Sequence, residues 1–332
     1  MHPAPKVSVI VCTYKQEHCI GRALDSILRQ KVNFPYEIIL ADDCSSDGTP
    51  EVCKHYRDLY PDVIRLFLNS KNKGVVDNYF DCIKECRGAY IADLAGDDEW
   101  IAIDKLQKQV EILDSDRGIV MCHAGWKLRR PDGSVDNPNG FYVPNHKYIA
   151  EPGQLTTLLL MHRKEKSFIH LCTAMYRRDT VMNLMGKYPC LFRNKMLTCE
   201  DLQLNVMLSH VGRIAYIPDT VLLYSVGMPS VSSSEDPLKT IRFYSGVIRL
   251  TSMLADILGI DRNRIAGCYH DIMQFIIMKY FISHDMDGKK MISDLLKEEK
   301  IPLSLKNRVT LLLSSNALTW RLATAIRSLL KE

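Results

Sequence analysis

Five short apolar runs recur within the first 122 residues, the first four each followed by a polar turn and a stretch of helical periodicity. The first, Val7-Ser8-Val9-Ile10-Val11-Cys12, is β-branched and uninterrupted, as a parallel strand buried on both faces would be. Ile38 to Ala41, Val63 to Phe67, Ala89 to Leu94 and Ile119 to Cys122 repeat the pattern. Between them Ile20, Ala23, Leu24, Ile27 and Leu28 fall on one helical face. Residues 50–59, 72–86 and 103–113 read as further helices. Repeated β-α units of this length impose right-handed crossovers. The expected fold is α/β, a Rossmann-like, mostly parallel sheet with helices on both faces.

Two of these strands end in acid. Ala41-Asp42-Asp43-Cys44-Ser45-Ser46-Asp47-Gly48-Thr49 follows the second run, and Ala95-Gly96-Asp97-Asp98-Glu99-Trp100 follows the fourth. Open α/β sheets bind ligands in the crevice beyond the carboxyl ends of their strands. Bare carboxylates there would repel a bare diphosphate, so the pattern suits a ligand presented with a divalent metal. Asp47, Gly48 and Thr49 are what a turn and a helix start require, and are assigned to structure.

Bulk properties exclude more than they assign. A chain of 332 residues can bury a full core without disulfides. A net charge of +4 makes no case for nucleic acid as a partner. The eleven cysteines are scattered, odd in number and without a Cys-x-x-Cys pair, which points to reduced thiols in a cytoplasmic protein. Pro3 and Pro5 lead straight into a strand, with no signal-peptide pattern. The sequence has no Gly-x-Gly-x-x-Gly and no P-loop, against a dinucleotide or P-loop enzyme.

Residues 127–154 are rich in Pro, Gly and Asn and read as a long irregular connection. The α/β character resumes at Leu171 to Arg177 and Arg213 to Tyr224, and Ser230 to Pro237 reads as a polar hinge. Beyond it the chain is all helical, at 238–259, 263–284, 288–299 and 304–330. The expected division is a catalytic domain over 1–232, with a nucleotide half near 5–125 and an acceptor half near 126–232, and a helical region over 233–332. The last helix, Leu303 to Leu330, carries Val309, Leu312, Leu313, Leu318, Trp320, Leu322, Ile326 and Leu330, with Lys306, Arg308, Arg321 and Arg327. Two readings stay open: a helix packed on its neighbours, or a basic amphipathic surface in peripheral contact with the inner face of an anionic membrane.

Taken together, five motifs in this order resemble the inverting family 2 glycosyltransferases of the GT-A fold. They are Val7 to Glu17, Arg22 to Gln30, Asp42 to Thr49, Gly88 to Gln109, and Glu200-Asp201 with Gly212 to Pro218. The resemblance covers residues 5 to 232. It implies a nucleotide-diphosphate sugar donor, UDP-linked, and a carbohydrate or lipid-linked acceptor in bacterial polysaccharide assembly. Thr13, Tyr14 and Glu17 would then lie against base and ribose, and Asp43 would accept from a pyrimidine N–H with Asp42 in support. Asn78 would face the nucleotide from its helix. Asp97, with Asp98, would hold Mg²⁺ or Mn²⁺ on the diphosphate. Asp201 would be the general base and Glu200 its neighbour. The sequence departs from the family twice. Ala95 stands where a third carboxylate is usual, and Tyr224-Ser225-Val226-Gly227 lacks the family's Arg and His. Those losses keep a second reading in view, a degenerate relative that binds nucleotide or sugar without transfer.

Overall fold

β1 (Val7–Thr13) is covered on both faces, as its uninterrupted run requires: Val7, Val9 and Val11 join the main core, and Ser8 and Ile10 are equally buried on the other side. The computed structural model describes all residues except 1–2, 138–144, 162–168, 193, 195, 228–233 and 330–332. In chain order β1 is followed by α1 (Ile20–Leu28), β2 (Tyr36–Asp42), α2 (Thr49–Leu59), β3 (Ile64–Leu68), α3 (Val75–Glu85), β4 (Tyr90–Asp93), β5 (Glu99–Trp100) and α4 (Lys105–Ser115). Then come β6 (Ile119–Arg129), β7 (Val135–Asp136), β8 (Tyr148–Ala150), α5 (Thr156–Leu160) and a 3₁₀ turn (Leu171–Thr173). β9 (Met175–Arg177), α6 (Arg178–Lys187), α7 (Pro189–Phe192), α8 (Glu200–Val211) and β10 (Arg213–Ser225) complete this part.

Among the described residues one sheet runs in the order β3-β2-β1-β4-β9-β6-β10-β5, with β7 on β6 and β8 on β10. β1, β2, β3 and β4 pair parallel, as do β6 and β10. The exception in the middle is β9, which lies antiparallel between β4 and β6. Its three residues carry too little pattern to announce a direction. α1 buries Ile20, Ala23, Leu24 and Ile27 against the sheet. Gly88 lets the α3–β4 connection cross β1 closely, since a Cβ there would lie 2.5 Å from the Ser8 amide nitrogen.

The chain divides into two compact units, 1–195 with 199–228 and 196–198 with 229–332. The second unit is helical: α9 (Pro237–Ile257), a 3₁₀ turn (Arg262–Ile265), α10 (Ala266–Ser283), α11 (Met286–Glu299), α12 (Leu305–Leu313) and α13 (Ala317–Leu329). Asp236 caps α9 by accepting from the Leu238 amide at 2.9 Å. Ile241, Ile248, Leu254, Ile276, Tyr280, Ile292 and Leu295 form its interior. Part of the expected hinge, 230–233, lies outside the described residues. The single helix expected over 304–330 is two helices. Ser314, Ser315 and Asn316 divert their side chains to nearby backbone, Ser314 Oγ to Thr310 O at 2.7 Å and Ser315 Oγ to Leu312 O at 2.6 Å. Asn316 Oδ1 then accepts from the Leu318 amide at 2.7 Å and starts the second helix. Among the described residues no helix is long and apolar enough to cross a membrane.

Candidate active site

β1, β2 and β4 run parallel and adjacent, so the turns that follow them open on one edge of the sheet. At the first turn Thr13 is buried and its hydroxyl donates to Gln16 Oε1 at 2.8 Å. Tyr14 is 45% exposed, with the Lys15 ammonium 5.4 Å over its ring. Glu17 Oε2 accepts from the Gly48 amide at 2.6 Å and ties the first turn to the second. Ser45 strengthens that tie by accepting from the Lys15 amide at 2.8 Å, and Lys15 and Cys44 both adopt positive φ to make the approach.

Asp43 is buried. Its Oδ1 accepts from Asn69 Nδ2 at 3.0 Å and from the Lys73 amide at 2.9 Å, and its Oδ2 from the Gly74 amide at 2.8 Å. A carboxylate offers about four lone-pair sites, so one acceptor position remains. Asn78 is buried and its Oδ1 accepts from the same Asn69 amide at 2.8 Å, so it acts through Asn69 on the Asp43 cradle. Asp42 accepts from the Ser45 amide at 3.0 Å through Oδ2, while Oδ1 is buried with no partner among the described residues.

The second acidic turn is pinned from three sides. Arg22 Nη2 donates to the Asp97 carbonyl at 2.9 Å, Ser225 Oγ donates to the same carbonyl at 2.6 Å, and the Ser225 amide donates to Asp98 Oδ1 at 2.9 Å. Gly96 packs so tightly that a Cβ would run into Gln16 Oε1 and approach Thr13 Oγ1. Asp98 is fully buried beneath the turn, and burial together with the neighbouring Asp97 charge pushes its carboxyl well up. Asp97 is half-buried. Burial raises its carboxyl too, with the Arg22 charge and the Gln16 amide only partly opposing.

Among the described residues no three His, Cys, Asp or Glu side chains gather as a metal cage. Mg²⁺ characteristically takes one or two carboxylates and fills its shell with substrate phosphates and water. Asp97, reachable and costly to ionise without a cation, fits that mode; Asp98 backs it from below.

Glu200 and Asp201 open α8, where Cys199 offers no side-chain cap. Asp201 Oδ1 accepts from the Leu202 amide at 2.8 Å. Asp201 is exposed to solvent yet enclosed by surrounding protein, and that enclosure raises its carboxyl. Glu200 is half-buried and pushed up to about 8, first by burial, then by the Asp201 charge, and lastly by Asp93. The helix dipole favours ionised acids at this end, but desolvation wins here.

Tyr224 joins the two ends of the crevice. Burial pushes its hydroxyl up to about 12, and the charges of Asp98, Asp97 and Asp201 all add to the shift. Its ring lies 4.7 Å from His170 and 5.9 Å from Trp126, centroid to centroid, forming an aromatic wall beside the carboxylates. His170 is held down to about 4 by burial, so it is a neutral ring near neutrality. A second histidine, His123, is fully buried and bonded at 2.8 Å to the Tyr148 hydroxyl, as a structural residue would be.

Other residues of the Arg22 to Gln30 and Gly88 to Gln109 motifs support the second acidic turn. Glu99 gathers Arg129 at 2.5 Å, Arg29 at 3.2 Å and Arg22 at 3.7 Å, which places cations beside the second acidic turn. Arg129 pairs in register with Ser225, the position where the resemblance expects Arg. Asp93 is buried with Tyr79 donating to its Oδ1 at 2.7 Å, and burial pushes its carboxyl up to about 7. Lys105 is fully buried, 4.0 Å over the Trp100 ring, and donates to Gln109 at 2.8 Å. Burial lowers its ammonium to about 7. Trp100 Nε1 donates to the Cys172 carbonyl at 2.7 Å, and Gln109 Nε2 to the Thr173 carbonyl at 2.8 Å. This network roots the acidic turn in α4 and the 3₁₀ turn at 171–173. Trp100, Lys105 and Gln109 lie within the Gly88 to Gln109 motif, whereas the carbonyls of Cys172 and Thr173 belong to no motif in the sequence.

A largely parallel sheet with acidic turns at its strand ends, extended by a smaller antiparallel part, is the GT-A fold. The chain belongs to the family described as glycosyl transferase family 2, whose model matches residues 8–184. An uncharacterized protein of Mycobacterium tuberculosis is 32% identical over 218 residues, 66% of this chain and 58% of that relative's length. The chain therefore spans little more than half of that relative. The Bacillus subtilis protein named putative teichuronic acid biosynthesis glycosyltransferase TuaG is 31% identical over 152 residues, covering 46% of this chain and 55% of TuaG. Among solved structures, S. aureus TarS 1-349 in complex with UDP-GlcNAc superposes with a TM-score of 0.63 at 18% identity, covering 90% of this chain and 82% of TarS.

Proposed function

We propose that this chain is an inverting glycosyltransferase that moves a sugar from a UDP-linked donor to a hydroxyl of a carbohydrate or lipid-linked carbohydrate. The observation that carries the reading is a run of contacts: Ser225 holds Asp97 and Asp98, the neighbouring Tyr224 ring lies 4.7 Å from His170, and Asn205 of α8, the helix that Glu200 and Asp201 open, donates to Ile169 O at 3.4 Å. Acid for the leaving-group side and acid for the acceptor side thus share one crevice.

Asp201 serves as general base. It is accessible, and its raised carboxyl brings its basicity nearer to working pH. The acceptor oxygen forms a bond to the anomeric carbon, the bond from that carbon to the diphosphate breaks, and the hydroxyl proton passes to Asp201. Glu200 holds the pair's other proton through part of the neutral range and keeps the site from carrying two adjacent charges. Asp97 would hold Mg²⁺ or Mn²⁺ with Asp98 behind it; when bound, the ion neutralises charge growing on the departing diphosphate. Arg22 and Arg129 add fixed positive charge beside the same turn. Tyr14 provides a face for the base, Asp43 a remaining acceptor for its N–H, and Thr13, Asp42, Glu17 and Asn78 fix the loops around them. The wall of Trp126, His170 and Tyr224 suits the apolar face of a sugar ring. A UDP donor and a polysaccharide acceptor are supported by the UDP-GlcNAc complex of TarS and the printed role of TuaG. Retention of Asp43, Asp97 and Asp201 argues against a degenerate binding relative.

Asp201→Asn tests the assignment. Loss of a general base should cut transfer by about 10²–10⁴ while calorimetric binding of UDP with Mn²⁺ stays as in the parent. A normal transfer rate in the variant places the base elsewhere.

A further inference from the structure

α12 and α13 turn large apolar side chains outward. On α12 Leu305, Val309 and Leu312 recur at four- and three-residue spacing and are 78%, 45% and 70% exposed. On α13 Leu318, Leu322 and Ile326 repeat every fourth residue at 77%, 64% and 51%. The opposite sides of both helices are seated. Asn307 is buried, the Tyr280 hydroxyl donates to Ser314 O at 3.0 Å, and Trp320 Nε1 donates to Phe281 O at 2.7 Å with its ring stacked on His284 at 4.2 Å. The outward leucines are therefore not a face awaiting these helices' own core.

Their charged neighbours have one sign. Lys306 and Arg308 fall on either side of the α12 stripe at about 3.6 residues per turn, and Arg321 borders the α13 stripe. All three are exposed, and from Ile301 to Lys331 the sequence contains no Asp or Glu. A helix face meant for water alone mixes charges of both signs and keeps leucine off it. A second copy docking on the same face would bring like charges together, because a two-fold contact uses the same patch twice.

We propose that the outer faces of α12 and α13 form a docking surface for an anionic lipid bilayer. The leucines enter the boundary between headgroups and acyl chains, and Lys306, Arg308 and Arg321 meet the lipid phosphates. The helices lie on the membrane rather than cross it. The inference uses no part of the sugar-transfer reading, and its test needs no donor.

The full chain is sedimented with vesicles of phosphatidylcholine alone and with about one third phosphatidylglycerol, at low and high salt. The expected result is partitioning to the anionic vesicles that weakens as salt rises. The variant Lys306→Gln/Arg308→Gln/Arg321→Gln should lose about a hundredfold in partitioning. The variant Leu305→Asn/Leu312→Asn/Leu322→Asn should also lose it, with an unchanged circular dichroism spectrum. Equal binding to both vesicle types, binding that survives either variant, or no binding at all overturns the proposal. A concentration-dependent dimer that the leucine variant abolishes, seen with no vesicle binding, assigns the face to a second copy instead.

Discussion

Replacing Asp93 by Asn should change how stability depends on pH. The Asp93 carboxyl moves from 3.8 to about 7 because it is buried, against the pull of Tyr79, Tyr176 and Lys105. A shift of about 3 units corresponds to about 4 kcal/mol between the protonated and ionised forms. Burial favours the protonated form, so the folded chain binds this proton more tightly than the unfolded chain. The stability it contributes is complete below about pH 4 and is lost progressively as pH rises to about 7. Above that, the fold carries a buried charge whose Oδ2 has no partner among the described residues. Asparagine keeps the shape and an acceptor for the Tyr79 hydroxyl but cannot ionise. Its amide nitrogen, sitting where Oδ2 was, costs a pH-independent penalty of about 1–3 kcal/mol. The stability of Asp93→Asn relative to the parent should therefore climb by about 4 kcal/mol between pH 4 and pH 7. Lys105 works in a separate window, because its lowered pKa makes stability rise with pH from about 7 upward. Urea melts of both proteins at pH 4, 5, 6 and 7 measure the difference. A difference that stays flat across that range would refute a buried, proton-holding Asp93.

Transfer should rise with pH through a range above that of an ordinary aspartate, because the base acts deprotonated and burial raises the Asp201 carboxyl. Glu200→Gln should leave that rise in place, because Glu200 still holds its proton when Asp201 loses its own; a rise displaced in the variant would contradict the pairing. Asp97→Asn should raise the Mn²⁺ concentration needed for UDP binding about tenfold or more, and an unchanged calorimetric titration would place the metal elsewhere. Gly96→Ala should weaken UDP binding by forcing Gln16 and Thr13 away from the turn, whereas Gly186→Ala, which meets nothing, serves as its control.

The parallel core was legible because its signal is local. Val7 to Cys12 and Ile38 to Ala41 are contiguous runs, and each became a strand at nearly the expected place. The carboxylates of the site were legible for the same reason: Asp42-Asp43, Asp97-Asp98 and Glu200-Asp201 are neighbours in the chain. What holds them is not local. Ser225 reaches Asp97 and Asp98 across more than a hundred residues, and Tyr176 meets Tyr79 with hydroxyls 2.5 Å apart across a similar gap. A single sequence has no pattern for such pairings. Glu17 shows the same limit: its place in a motif suggests a ligand contact, while the Gly48 amide that its carboxylate also holds lies 31 residues away. The break at Ser314 to Asn316 escaped notice because it uses neither Gly nor Pro.

The buried amine of Lys105 has a consequence for anyone recombining these proteins. Trp100, Lys105, Gln109 and the carbonyls of Cys172 and Thr173 behave as one part with a single fit. A chimera that exchanges the acidic loop alone inherits a foreign foundation, with an ammonium facing a ring or a carbonyl that has moved. Crossover points that keep residues 95–110 and 171–174 from the same parent carry the foundation with the loop.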